Sequence, residues 1–172
     1  MGGHILTDRK IRIVIADDNQ EFCGILSEYL NQQEDIEIVG IANDGMEAYD
    51  LIISELPDVA ILDIIMPHLD GLGVLEKLNS TEMDVRPIYI MLSAVGQDKI
   101  TQRAMALGAE YYMIKPFDMG ILVERIRQLK GAISSNREVR RLQARDIGTS
   151  YRITEKDLER SVTKMIHEIG IP

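Results

Sequence analysis

Five polar residues stand at the ends of apolar runs, and their types suit one another chemically. Asp17 and Asp18 follow "IRIVIA", Asp63 closes "VAILD", Ser93 closes "PIYIMLS" and Lys115 follows "EYYMI". A carboxylate at the end of a buried run is costly to desolvate unless it is paired or bound to a metal. Three converging carboxylates repel, and a hard divalent cation with oxygen ligands relieves this. Mg²⁺ typically takes one or two carboxylates together with waters and a phosphate. In such a setting Asp63 can act as a nucleophile and form an aspartyl phosphate. The cation would neutralise the incoming phosphoryl charge and hold it in line. Lys115 would bring a compact positive charge to one phosphoryl oxygen, and Ser93 a hydrogen bond to another. Taken singly, each residue has an ordinary reading. A strand-end Asp is often a helix cap or loop carboxylate, a Lys before Pro a solvated loop lysine, a strand-end Ser a turn residue. The joint pattern carries the argument.

That pattern requires elements that bring the five residues together. Five short runs rich in Ile, Val and Tyr read as strands: 11–16, 36–42, 59–63, 87–93 and 110–114. Helical spacing fills the gaps. Phe22, Ile25, Leu26, Tyr29 and Leu30 share one face; Met46, Tyr49, Leu51, Ile52 and Ile53 crowd a second, behind Asp44 as N-cap. Leu72, Val74, Leu75 and Leu78 follow Gly71, and Ile100, Ala104 and Leu107 end at Gly108. Asp118 caps a fifth helix carrying Ile121, Leu122, Ile126 and Leu129. Alternating strands and helices predict an α/β fold: a flavodoxin-like, doubly wound parallel five-stranded sheet of order 2-1-3-4-5. In such a sheet the ligand crevice lies at the carboxyl ends of the strands, where strand order reverses, here between the first and third strands. All five polar residues fall there.

Composition narrows the class. The 172 residues allow one full α/β domain with chain to spare. No run of about 18 apolar residues predicts a membrane span, and "MGGHILTDRK" lacks the apolar stretch of a signal peptide. Cys23 is the single cysteine, which excludes an internal disulfide framework and suits a reducing cytoplasm; its helical position reads as a small core residue. Residues 1–131 carry 22 acidic and 11 basic side chains, whereas the remainder carries 6 and 8. So acidic a first part is a poor nucleic-acid binder by itself. His68, after the Met66–Pro67 turn, reads as a solvated loop residue, and Met66 as an apolar filler at the pocket mouth.

After Lys130 the texture turns polar, with Arg137, Arg140, Arg141 and Arg145, and reads as an exposed linker over 132–152. Thr154 and Asp157 then resemble a capping box before a stripe of Leu158, Val162, Met165, Ile166 and Ile169. Either this helix docks on the first domain, or 153–172 is the first helix of a second domain.

The segments "IADDNQ", "ILDIIMPHLDG", "MLSA" and "YMIKPF" resemble the four motifs of response-regulator receiver domains, over about residues 9–131. The resemblance implies that Asp63 takes phosphate from a phosphohistidine on a sensor kinase or histidine phosphotransferase. It implies Mg²⁺, with Ca²⁺ or Mn²⁺ as substitutes, on Asp18, Asp63 and the Ile65 carbonyl, with Asp17 supporting through water. Ser93 then matches the residue that senses the phosphoryl group, Tyr112 the aromatic switch, and Lys115–Pro116 a bond that is usually cis. The stretch 92–118, the polar segment and "IHEIGIP" are further similar to the sporulation regulators of endospore-forming Firmicutes, transcription factors whose C-terminal helical domain binds DNA. That likeness implies DNA binding through a full-length protein and not through this chain, which would carry only the first effector helix. It also implies homodimers on phosphorylation, a cytoplasmic location and no membrane contact. A stand-alone phosphorelay carrier has no use for the C-terminal apolar stripe. A Mg²⁺-dependent phosphohydrolase generally needs an acid–base Asp two residues after its nucleophile, and that position holds Ile65.

Overall fold

The computed structural model describes the backbone of residues 9–94 and 96–145 and the side chains of the same residues up to Ile133. The strands are β1 (Ile11–Ala16), β2 (Ile36–Ala42), β3 (Val59–Asp63), β4 (Ile88–Ser93) and β5 (Ala109–Ile114). The helices are α1 (Gln20–Asn31), α2 (Gly45–Glu55), α3 (Gly71–Asn79), α4 (Asp98–Ala106) and α5 (Met119–Arg145). The chain divides into two compact units at Ile133/Ser134, and the sheet, α1 to α4 and the first part of α5 lie in the first.

All strand pairs are parallel and the order is β2-β1-β3-β4-β5, as the alternation of strands and helices requires. Parallel strands need crossovers, and the helices supplying them cover both faces, so β3 and β4 are largely apolar up to their last residues, Asp63 and Ser93. Every residue of β3 and of β4 is buried. Successive side chains along a strand face opposite ways, which splits the interior in two. Ile13, Ile15, Ile61 and Ile90 pack with Leu26 and Leu30 of α1 and Leu122 and Ile126 of α5. Val14, Ala16, Leu62 and Met91 pack with Ile52 of α2, Val74, Leu75 and Leu78 of α3 and Ala104 of α4.

Local chemistry sets the helix boundaries. Asn19 caps α1, its side chain accepting from Phe22 N–H; Asp44 caps α2 through Glu47 N–H, and Asp70 caps α3 through Gly73 N–H. The Asp118 carboxylate accepts from Ile121 N–H at the start of α5. Past the end of α4, Gly108 has φ +106°, a left-handed conformation that costs glycine little.

Two expectations shift. Ile25, Met46 and Ile121, assigned by spacing to buried helix faces, are 52%, 40% and 46% exposed. Each lies at the edge of its apolar stripe, and spacing alone does not say how far the sheet reaches under a helix. The expected linker from 132 begins as helix: α5 continues through Arg145. Arg, Glu, Leu, Gln and Ala dominate 137–145 and are strong helix formers, so the polar texture there marks exposure-prone composition rather than a break. The rest of that segment and the apolar stripe of 153–172 lie outside the described residues.

Candidate functional site

β1 ends at Ala16, and Asp17 N–H donates to the Ala42 carbonyl of β2, so Asp17 is held as an extension of the sheet. Its Oδ1 accepts from Asn19 N–H at 2.9 Å, and the residue is buried to 1% exposure. Asp18 follows on the solvent side and is exposed, and it is Asn19, not Asp18, that caps α1. Asp63 closes β3 and is buried. One carboxylate oxygen from each of Asp17, Asp18 and Asp63 lies within 4.8 Å of the others, and this is the described residues' acidic cluster with metal-ligand spacing.

Lys115 follows β5 and reaches the same space. Its backbone N–H donates to the Ser93 carbonyl at 2.8 Å, which ties it to the end of β4. The peptide bond to Pro116 is cis. Its Nζ donates to Asp17 Oδ2 at 2.5 Å and to Asp63 Oδ2 at 3.3 Å. Three carboxylates and one ammonium leave a formal charge of −2, which one divalent cation balances. The electrostatics agree with this crowding. Burial, reinforced by the charge of Asp17, pushes the Asp63 carboxyl above its ordinary value against the opposing pull of Lys115. Burial alone would depress Lys115, but its hydrogen bond to Asp17 and the charges of Asp63 and Asp17 more than offset that and raise it. Lys115 is therefore an ammonium at neutral pH.

The loop from Ile64 to Asp70 forms the outer wall. Gly71 N–H donates to the Ile64 carbonyl at 2.8 Å and Leu69 N–H to the Pro67 carbonyl at 2.8 Å, folding the loop back on itself. Ile64 and Met66 are buried in the second core cluster, so Met66 fills apolar space as expected. Ile65 is exposed, and its N–H points to Asp63 Oδ1 at 3.4 Å. His68 is exposed with φ +68° and is the solvated loop residue its position suggested.

Ser93 is fully buried at the end of β4, paired in register with Ile114 of β5. Tyr112, on β5 beside Met91, is half-buried against the α2–α4 side. All five polar residues thus lie at the carboxyl ends of their strands, while Tyr112 stands two residues before the end of β5, against the second core cluster.

Several participants carry no local signal. Phe22 of α1 places its ring under Lys115, with Nζ 4.3 Å from the centroid. Cys23 donates its S–H to the Asp17 carbonyl at 3.3 Å, and burial followed by the Asp17 charge pushes the thiol up to about 11, so it is an unreactive structural group. Gly71 and Gly45 allow close approaches: a Cβ on Gly71 would lie 2.3 Å from the Asp63 carbonyl oxygen, and one on Gly45 would lie 1.9 Å from that of Leu69. The glycines are visible in the sequence, but the backbones they must clear are not neighbours in it.

A doubly wound sheet with clustered aspartates and one lysine at its carboxyl edge defines a class of phosphoryl-handling α/β domain. The model of the response regulator receiver domain matches residues 13–127, and the chain belongs to that family. It is similar to the receiver domain of the putative response regulator NarL from Mycobacterium tuberculosis, at 30% identity and TM-score 0.67, covering 72% of this chain and 98% of that one. It is similar to the response regulator domain of Thermotoga maritima CheB at 30% identity and TM-score 0.65, with the same coverages of 72% and 98%. The Borrelia burgdorferi CheX–CheY–BeF₃–Mg²⁺ complex matches at 26% identity and TM-score 0.64, over 70% of this chain and 90% of that one. The chain therefore carries the receiver domain of a two-component response regulator, a class that accepts phosphoryl groups from histidine kinases or phosphotransferases. Among the described residues no helix is long and apolar enough to cross a membrane.

Proposed function

We propose that Asp63 is the phosphoacceptor of this receiver. The supporting observation is the convergence on one pocket of Asp17, Asp18 and Asp63 within 4.8 Å, with the Lys115 ammonium bridging two of them. An oxygen of Asp63 attacks the phosphorus of a phosphohistidine; a P–O bond forms, the P–N bond breaks, and its electron pair stays on the imidazole nitrogen. Lys115 turns an N–H toward a phosphoryl oxygen, and the Ser93 hydroxyl donates to another. The carboxylate set fits a hard divalent cation such as Mg²⁺, held by Asp18, Asp63 and the Ile65 carbonyl with Asp17 behind them. When bound, that cation supplies positive charge to the phosphoryl oxygens. The Borrelia CheY complex, which contains BeF₃ and Mg²⁺, supports this reading by similarity.

The finer identity rests on sequence likeness. The 92–118 stretch and the C-terminal segment favour a sporulation regulator, a cytoplasmic transcription factor that acts on DNA through a further helical domain. Tyr112 would be its switch, moving as Ser93 closes on the phosphoryl group, with homodimer formation as the outcome. Incubation with acetyl phosphate and Mg²⁺, followed by intact mass measurement, tests the acceptor. Wild type is expected to gain one phosphoryl group and Asp63→Asn none; full labelling of the Asn variant removes Asp63 from the role.

A further inference from the structure

We propose that Phe22 is a positioning residue for Lys115, an aromatic shelf that keeps the ammonium aimed into the pocket before and after Asp63 is phosphorylated. The proposal rests on the reading of Asp63 as acceptor. Its observation is separate: the ammonium lies 4.3 Å from the Phe22 ring centroid, the arrangement in which a cation meets the negative face of the ring.

The ring itself is held from two directions. Phe22 stands on the first turn of α1, where its N–H is fixed by the Asn19 cap, and it packs half-buried on the α1–α5 core. Phe117, two residues past Lys115, meets it with centroids 6.1 Å apart and planes at 82°. This T-shaped contact is a favourable aromatic geometry. The segment 115–117 therefore grips one ring with both its cation and its own aromatic side chain. An ammonium has three N–H donors. Two are directed at Asp17 and Asp63, and the ring occupies a further side.

The three contacts respond differently to phosphorylation. Forming the acyl phosphate removes the negative charge of the Asp63 carboxylate, which weakens that ion pair, and brings new anionic oxygens that compete for the N–H groups. The ring carries no titrating charge and offers no oxygen. It holds the flexible four-carbon stem while the polar partners exchange, without competing for the N–H that must reach the phosphoryl oxygen.

Phe22→Leu keeps the apolar volume and removes the π face, whereas Phe22→Tyr keeps both. Two readouts are needed on the full chain. The first requires no phosphodonor: in carbon–proton correlation spectra, the ε-methylene protons of Lys115, assigned by their absence in Lys115→Arg, are expected to be ring-current shifted in wild type and Phe22→Tyr. They are expected to return to ordinary lysine positions in Phe22→Leu. The second is the labelling rate with acetyl phosphate and Mg²⁺. Phe22→Leu is expected to label about 2–30-fold more slowly, the span a cation–π contact covers between exposed and desolvated settings, and Phe22→Tyr within about twofold of wild type. Should Phe22→Leu not fold by circular dichroism, Phe22→Met serves the same comparison. A Leu or Met variant with wild-type labelling overturns the role, as does equal slowing by Tyr and Leu, which would mean packing alone. Wild type that takes no label overturns the acceptor reading, and this role with it, whereas unshifted Lys115 protons in a labelling wild type overturn only the shelf.

Discussion

Replacing Gly71 with alanine tests whether β3 and α3 are held as tightly as the geometry requires. Among the described glycines only Gly108 has positive φ, so at Gly71 the constraint is space and not backbone conformation. The added Cβ would lie 2.3 Å from the Asp63 carbonyl oxygen and 2.9 Å from Met91 Cε, whereas ordinary contact begins at 3.4 Å. The methionine tip can swing aside, but the carbonyl cannot, because it belongs to β3. α3 must therefore back away from the strand end by about 1 Å. Overpacking of this kind costs about 1–3 kcal/mol. The Gly71 N–H bond to the Ile64 carbonyl, 2.8 Å long, stretches with it, adding up to about 1 kcal/mol. The expected loss is about 1–4 kcal/mol, a large share of the ~5–15 kcal/mol that holds a typical domain. Because the shift acts on Asp63 itself, labelling by acetyl phosphate is expected to fall as well, by up to about 10²-fold for a 1 Å misplacement. Gly24→Ala is the matched control. Its Cβ meets nothing within 4 Å on an exposed helical position, so it is expected to stabilise by about 0.5–1 kcal/mol. Urea melts followed by circular dichroism give the stabilities, and intact mass gives the rates. A Gly71→Ala protein as stable as wild type and labelled at the same rate would refute the reasoning.

Asp58, at the opposite end of the sheet, accepts from Arg12 N–H at 2.9 Å and from Lys130 Nζ at 2.8 Å, joining β1, β3 and α5. Burial alone would raise its carboxyl, but these donors and Arg9 bring it below its ordinary 3.8. A lowered folded value contributes stability above the unfolded value and loses it as pH falls through the folded one. Between about pH 5 and 3 the melting temperature of wild type is therefore expected to fall more than that of Asp58→Asn; parallel curves would contradict this. Mg²⁺ is expected to raise the melting temperature of wild type by mass action. Asp18→Ala should weaken that response at least as much as Asp17→Ala, whose supporting place corresponds to about 10–100-fold in affinity. Equal Mg²⁺ responses in wild type and Asp18→Ala would remove Asp18 from the ligand set. A beryllofluoride mimic is expected to increase the dimer fraction through the face of α4, β5 and α5, and much less in Ser93→Ala; sedimentation that shows one mass with and without the mimic excludes that switch.

The ends of the strands were legible because they depend on local properties. An apolar run of five or six residues is buried on both faces of a parallel sheet, and the first polar residue after it must lie at the rim. Asp17, Asp63, Ser93 and Lys115 could thus be assigned to one edge before any contact was known, and β1, β2 and β3 begin and end where their runs do. The caps Asp44 and Asp118 are local for the same reason: a side chain reaches an N–H three residues away. What tertiary structure alone decided are relations between distant residues. Lys115 meets Asp17 across 98 positions and Asp63 across 52, which leaves Asp17 buried and Asp18 exposed although both follow the same strand. Apolar spacing identified a face on α1 that includes Phe22 and Ile25, but only the packed sheet sets Phe22 under the Lys115 ammonium and leaves Ile25 largely in solvent. Glycine at 45 and 71 is two letters of sequence; that each must admit a backbone oxygen follows from where α2 and α3 are pressed against the acceptor loop. Hydrophobic patterning is a one-dimensional signal and specifies which side of an element is covered. Which atoms meet across the gap is set by packing in three dimensions, where a shift of one ångström separates a contact from a clash.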